Sequence, residues 1–199
     1  MKQGPLCKVL MIASLFLISS PTWAEDVFNQ PGAYVGLGMA GGLSNFDGAA
    51  HGAGNSPGFD VCGGYRFTDN VAVEALYEYM NDFEKGRHDA PGNAHLSTNN
   101  VSVMGKLLAP VPGLTNLQPY VSGGIGFLNV DGAERFSGPE GAVHHVGSGT
   151  ELAGRVDGGV DYFLTPQIST FLDAGYVMPT EHLDHLDYVS LSLGVKYNF

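Results

Sequence analysis

The 199 residues carry 9 basic and 20 acidic side chains, a formal net charge of −11, with 29 glycines and 44% apolar residues. A chain this acidic is repelled by nucleic acid and is not expected to bind it. Of its 2 cysteines, Cys7 and Cys62, only the second lies beyond the first 24 residues, so there is no disulfide framework for an exported fold.

The chain opens with Lys2 and Lys8 ahead of an apolar run from Val9 to Ile18, followed by Thr22-Trp23-Ala24. That order predicts a secretory signal peptide over residues 1–24, cleaved after Ala24, with an apolar part too short to span a bilayer. Cys7 precedes the apolar run, the wrong place for a lipidated cysteine. Residues 25–31 read as a short lead and 32–199 as one domain. From residue 25 onward 7 bases stand against 20 acids, a net −13. No later apolar run approaches about 18 residues, which excludes a transmembrane helix but not a span built from strands.

Period-two alternation then recurs along the chain. "AYVGLGMA" is the first candidate strand. In "FDVCGGYRF" Phe59, Val61, Gly63, Tyr65 and Phe67 oppose Asp60, Cys62, Gly64 and Arg66. "VAVEALYEYM" sets Val71, Val73, Ala75, Tyr77 and Tyr79 against Glu74, Leu76, Glu78 and Met80. "VSVMGKL" separates Val101, Val103 and Leu107 from Ser102, Met104 and Lys106, and "PYVSGGIGF" follows. "LAGRVDGGVDY" sets Leu152, Val156, Val160 and Tyr162 against Arg155, Asp157, Gly159 and Asp161. "ISTFLDAGY" divides Ile168, Leu172, Ala174 and Tyr176 from Ser169, Asp173 and Gly175. In the last segment Val189, Leu191, Leu193, Val195, Tyr197 and Phe199 oppose Tyr188, Ser190, Ser192, Gly194, Lys196 and Asn198. Such alternation is the mark of a strand with two unlike faces, and the glycines oppose helix.

Connections alternate in length. "TDN" and "LTPQ" are short, and "APVPGLTNLQ" is somewhat longer; Leu43–Pro57, Asn81–Thr98, Asp131–Gly149 and Met178–Leu186 are long. An even-numbered up-and-down meander gives this pattern. A soluble carrier barrel would put the apolar face inside. Three features favour the opposite sense. The polar face is rich in Gly and poor in Lys, Gln and Thr. It matches Arg66, Lys106, Arg155 and Lys196 with Asp60, Glu74, Glu78, Asp157, Asp161 and Asp173. The apolar face ends in aromatics, which suit a membrane–water boundary. The expected fold class is all-β: an eight-stranded antiparallel up-and-down transmembrane β-barrel with short periplasmic turns and long extracellular loops.

"GYRFTDNVAVEALYEY", "PYVSGGIGF", "GGVDYFLTPQISTFLDAGY" and "LSLGVKYNF" resemble the eight-stranded outer-membrane barrels of Gram-negative bacteria. That group comprises the OmpA-type transmembrane domain, the OmpX type and the opacity-like surface antigens, and the likeness covers nearly all of residues 25–199. It implies a place in the outer membrane, surrounded by lipid and lipopolysaccharide. It also implies that Tyr197 and Phe199, closing an alternating last strand, form the signal read by the barrel-assembly machinery. Ending at Phe199, the sequence lacks the peptidoglycan-binding domain of the OmpA type, so cell-wall anchoring is not carried over.

A bore this narrow is filled by side chains, so the ten inward charges read as a salt-bridged plug, or alternatively as a gated ion path. All seven histidines fall in the long connections; in and beside these connections stand 11 acids and 3 bases, a net −8. Within "EHLDHLD", His182, Asp184 and His185 are weak candidates for binding a divalent cation. His95-Leu96-Ser97 resembles the His-x-Ser pair of lipid A deacylases, but the preceding aromatic is absent and no acid follows on the same strand at suitable spacing. The expected function is non-enzymatic and without cofactor: a structural, adhesive or antigenic surface protein whose loops meet a host or surface ligand.

Overall fold

The computed structural model describes residues 30–44, 55–81, 92–111, 113–136, 143–180 and 187–199, with backbone alone at 55, 92–96, 132–136 and 143–148. Eight strands follow in chain order: β1 Gly32–Ser44, β2 Asn55–Thr68, β3 Val71–Met80, β4 Gly92–Leu108, β5 Leu117–Phe136, β6 Val143–Phe163, β7 Ile168–Pro179 and β8 Tyr188–Asn198. Each pairs antiparallel with the next, and β8 returns to β1 from Tyr34↔Asn198 to Ser44↔Tyr188, closing a barrel. Closure leaves no edge along the seam. The last residue takes part: the Phe199 N–H donates to the Ala33 carbonyl at 2.9 Å, and the Asn198 N–H to the Gln167 carbonyl at 2.7 Å.

The alternation sets the faces, and they are the reverse of those in a soluble sheet. Leu37 and Leu193 are 63% and 62% exposed, whereas Glu78 and Lys106 are 1% and 2% exposed. Apolar side chains therefore clothe the outside and charge fills the inside, the arrangement hydrocarbon selects. The 11 residues of β8, rising about 3.3 Å each and tilted about 40°, span roughly 28 Å, close to a hydrocarbon core. Aromatics mark both ends of this belt. Near the chain termini Tyr65 packs on Phe67 with ring centroids 5.1 Å apart, and Tyr197 on Phe199 at 5.0 Å. At the loop end Phe59 packs on Tyr77 and Tyr79, whose hydroxyls donate to Asn99 at 2.8 Å and Asn81 at 3.2 Å. There the Tyr176 hydroxyl also bonds Asp187. Rings with a polar tip suit a boundary between lipid and water.

The turns at the terminus end are tight and polar. Thr68 Oγ1 accepts from the N–H groups of Asn70 and Val71, and Thr165 Oγ1 from that of Ile168. In the proline-containing connection after β4, the Leu114 N–H donates to the Val111 carbonyl at 3.0 Å. Gly113, at φ 83°, occupies the left-handed region that L side chains rarely adopt. Inside, two glycines make room for rings on the neighbouring strand. Tyr34 lies over its register partner Gly64, and Tyr120 over Gly159. A Cβ at Gly159 would stand 2.6 Å from the Tyr120 ring.

The strand ends depart from expectation by a residue or two at several points and by much more in three places. Much of the predicted loops Asn81–Thr98 and Asp131–Gly149 is strand: β4 begins at Gly92, β5 runs to Phe136 and β6 starts at Val143. His95, His144 and His145 therefore lie on strands rather than in connections, as do Asp131, Glu134, Arg135 and Glu151. The physical reason is that a ladder standing clear of lipid keeps its backbone hydrogen bonds without needing an apolar face, so alternation fades while pairing continues. His51, His88, His182 and His185 lie outside the described residues.

Candidate functional site

The interior is built in layers. Nearest the termini, Tyr34, Ala72, Leu108 and Tyr120 form a buried apolar cluster. Arg66 donates to Gln118 Oε1 at 2.6 Å and lies over the Phe163 ring, 5.7 Å from its centroid. Above it Lys106 meets Glu74 at 3.0 Å, and Tyr34 donates to the same Glu74 oxygen at 2.8 Å. Lys196 meets Asp161 at 2.7 Å. Both ammonium groups sit over aromatic faces: Lys106 is 3.6 Å from the Tyr120 centroid and Lys196 is 4.7 Å from that of Phe171. An ammonium both ion-paired and resting on a ring keeps compensation after leaving water.

Nearer the loop end Arg155 forms the largest group. It reaches Glu78 at 3.0 Å, Asp157 at 2.7 Å and the Ser190 hydroxyl at 3.2 Å. Glu78 accepts further bonds from Tyr188 at 2.8 Å and Ser190 at 2.7 Å. These bonds draw β3, β6 and β8 together across the bore. Over this group lies a second apolar layer of Ala40, Met80, Leu128, Val130, Ala153, Val177 and Tyr188.

Nine of the ten inward charges are 5% exposed or less. Asp173 is half-buried and accepts from the Tyr120 hydroxyl at 2.8 Å. The structure thus brings Asp60, Arg66, Glu74, Glu78, Lys106, Arg155, Asp157, Asp161, Asp173 and Lys196 into one lumen, held by eight strands. It also adds what the sequence reading missed, the apolar layers at each end. Val130 and Val177 lie beyond the alternating segments, and Tyr34 shares its face of "AYVGLGMA" with Gly36 and Gly38. Among the described residues no group of three His, Cys, Asp or Glu side chains could hold a metal ion. His182, Asp184 and His185 lie outside the described residues.

At the loop end β4, β5 and β6 outrun their neighbours. β3 pairing stops at Met80↔Thr98, yet β4 and β5 remain paired to Gly92↔Phe136. β7 pairing stops at Ala153↔Pro179, yet β5 and β6 remain paired to Arg135↔Val143 after a register shift between Val130 and Gly132. A three-stranded ledge results. Its register sets His95 and His145 on either side of Ala133, and Ser97 opposite Asp131. An acid thus stands across from the His-x-Ser pair, on the neighbouring strand rather than on the same one.

Residues 10–199 match the family described as outer membrane protein beta-barrel domain. No curated protein matches the sequence. Among solved structures the chain is similar to Neisserial surface protein A, with a TM-score of 0.62 at 16% identity over 84% of this chain and 97% of that one. It is also similar to the attachment invasion locus protein Ail of Yersinia pestis, with a TM-score of 0.57 at 16% identity over 85% and 99%. OprG of Pseudomonas aeruginosa gives a TM-score of 0.58 at 16% identity over 88% and 99%. An apolar exterior, a charged lumen, strand closure and a family match over nearly the whole length converge, and the chain belongs to the outer membrane protein β-barrel family.

Proposed function

We propose that this barrel is a non-enzymatic surface protein, fixed in the membrane by a filled bore and acting through its outer end as an adhesive or antigenic platform. The observation that carries the reading is the ledge of β4, β5 and β6, which continues beyond the strands on either side. At about 3.3 Å per residue, tilted about 40°, the 20 residues of β5 reach roughly 50 Å, well beyond the membrane belt. Paired backbone there presents side chains without the entropic cost of ordering a free loop. The reading favours a neutral or basic partner. Ail has been solved with the heparin analogue sucrose octasulfate, but the predicted outer connections of this chain and the residues beside them carry 11 acids against 3 bases, which repel a polyanion.

The experiment is an epitope inserted between residues 137 and 142, read by antibody on intact cells, together with adhesion of those cells to immobilised basic and sulfated surfaces. Expected are antibody binding without opening the cells, adhesion to the basic surface that falls when 92–97 and 131–148 are shortened together, and none to the sulfated one. An epitope reached only after lysis, or adhesion unchanged by the shortening, would overturn the reading.

A further inference from the structure

Six carboxylates and four cations face the lumen. The ion pairs match Glu74 with Lys106, Glu78 and Asp157 with Arg155, and Asp161 with Lys196. Among the described residues Asp60 and Asp173 form no ion pair, and both line one cavity of about 20 Å³. Asp60 is 2% exposed and Ser192, which lines the same cavity beside it, is 3% exposed; neither Asp60 Oδ1 nor Ser192 Oγ has a well-formed hydrogen bond. Ser192 is the register partner of Asp173. Lys196 and Arg155 also line the cavity, but the ammonium donates to Asp161 and the guanidinium is paired with Glu78 and Asp157. One buried and one half-buried carboxylate, neither in an ion pair, and a hydroxyl without a well-formed hydrogen bond therefore converge on a space large enough for one small particle.

We propose that this cavity is a site for one small monovalent cation of sodium size, held by Asp60, Asp173 and Ser192. Water would satisfy the orphaned oxygens and leave the buried charge uncompensated, which is the larger cost. The donors are hard oxygens, which select alkali and alkaline-earth ions over softer metals. They are too few for calcium, which takes 6–8 oxygen ligands. Apolar layers lie toward both ends of the lumen, so the ion enters as the barrel closes and exchanges slowly afterwards.

The test refolds the full chain from urea into detergent micelles in sodium chloride or in choline chloride at equal ionic strength, choline being too large for the cavity. The urea midpoint is expected to rise with sodium, in proportion to the logarithm of its concentration once above the dissociation constant. At ten times the dissociation constant the folding equilibrium constant should be about tenfold higher than in choline. Asp60→Asn is expected to lose the sodium response, while Asp69→Asn, in the exposed β2–β3 turn, keeps it. If Asp60→Asn does not refold, Ser192→Ala should show a reduced response. Equal midpoints in the two salts would assign the cavity to water or a proton and overturn the proposal. A full sodium response surviving in Asp60→Asn or in Ser192→Ala would do the same.

Discussion

Replacing Arg155 with leucine is expected to destabilise the barrel by about 3–5 kcal/mol, read as a lower urea midpoint for the protein refolded in detergent. The size comes from what stays behind. Arg155 is 2% exposed and meets Glu78, Asp157 and Ser190 at 3.0, 2.7 and 3.2 Å. Without the guanidinium, two carboxylates remain in a lumen whose other cations are already committed near the termini. Arg155→Leu combined with Glu78→Gln should recover part of the loss, because one stranded charge has gone and Tyr188 and Ser190 can still bond the amide. A single variant losing less than about 1 kcal/mol would show that the interior charges are hydrated rather than sealed.

The second large effect belongs to the outer face. Leu193 lies midway along β8, 62% exposed, with Met39 and Leu172 as its register partners on β1 and β7. Leu193→Arg in a lipid bilayer should cost about 2–4 kcal/mol, the range for a cation at the midplane of a transmembrane barrel. Nothing inside the protein is disturbed by the change, so the penalty measures the surrounding solvent. In water an exposed Leu→Arg change would fall within about 0.5 kcal/mol. Phe199→Arg, near the boundary, should cost far less, about 0–1 kcal/mol of stability. That depth dependence separates a lipid-facing belt from an apolar patch in contact with another protein.

The sense of each face was legible because every membrane-spanning strand must satisfy two unlike solvents at once. Val71, Val73, Ala75, Tyr77 and Tyr79 can only share a face, and Glu74 and Glu78 can only share the other. The closing role of Phe199 was legible for a related reason, since a regular apolar strand at a chain end must be paired. Two features were hidden. The ledge shows no alternation, as both its faces can meet water, so Gly92–Ser97 and Asp131–Phe136 read as loop until the backbone pairing is seen. The apolar layers of the lumen were hidden because Leu128, Val130 and Val177 carry the inward phase past the ends of the alternating segments. Cross-strand geometry supplied the rest. That Ser192 stands beside Asp173, and that Asp60 is left without a counter-ion, depends on register, which one strand's composition does not contain.

The most direct test of the outward-facing belt uses the scarcity of tryptophan. Trp23 is the only one in the chain and lies in the predicted signal peptide, so the barrel from residue 25 onward provides a background in which one introduced indole reports its own surroundings. Leu193→Trp and Phe171→Trp are placed in that background, the first on the outer face and the second inside at 5% exposure. Both barrels are refolded into bilayers of lipids brominated midway along their acyl chains, which quench fluorescence on contact. The expected result is strong quenching at 193 and little at 171. Quenching at 171 with 193 shielded, or equal quenching at both, would contradict the account.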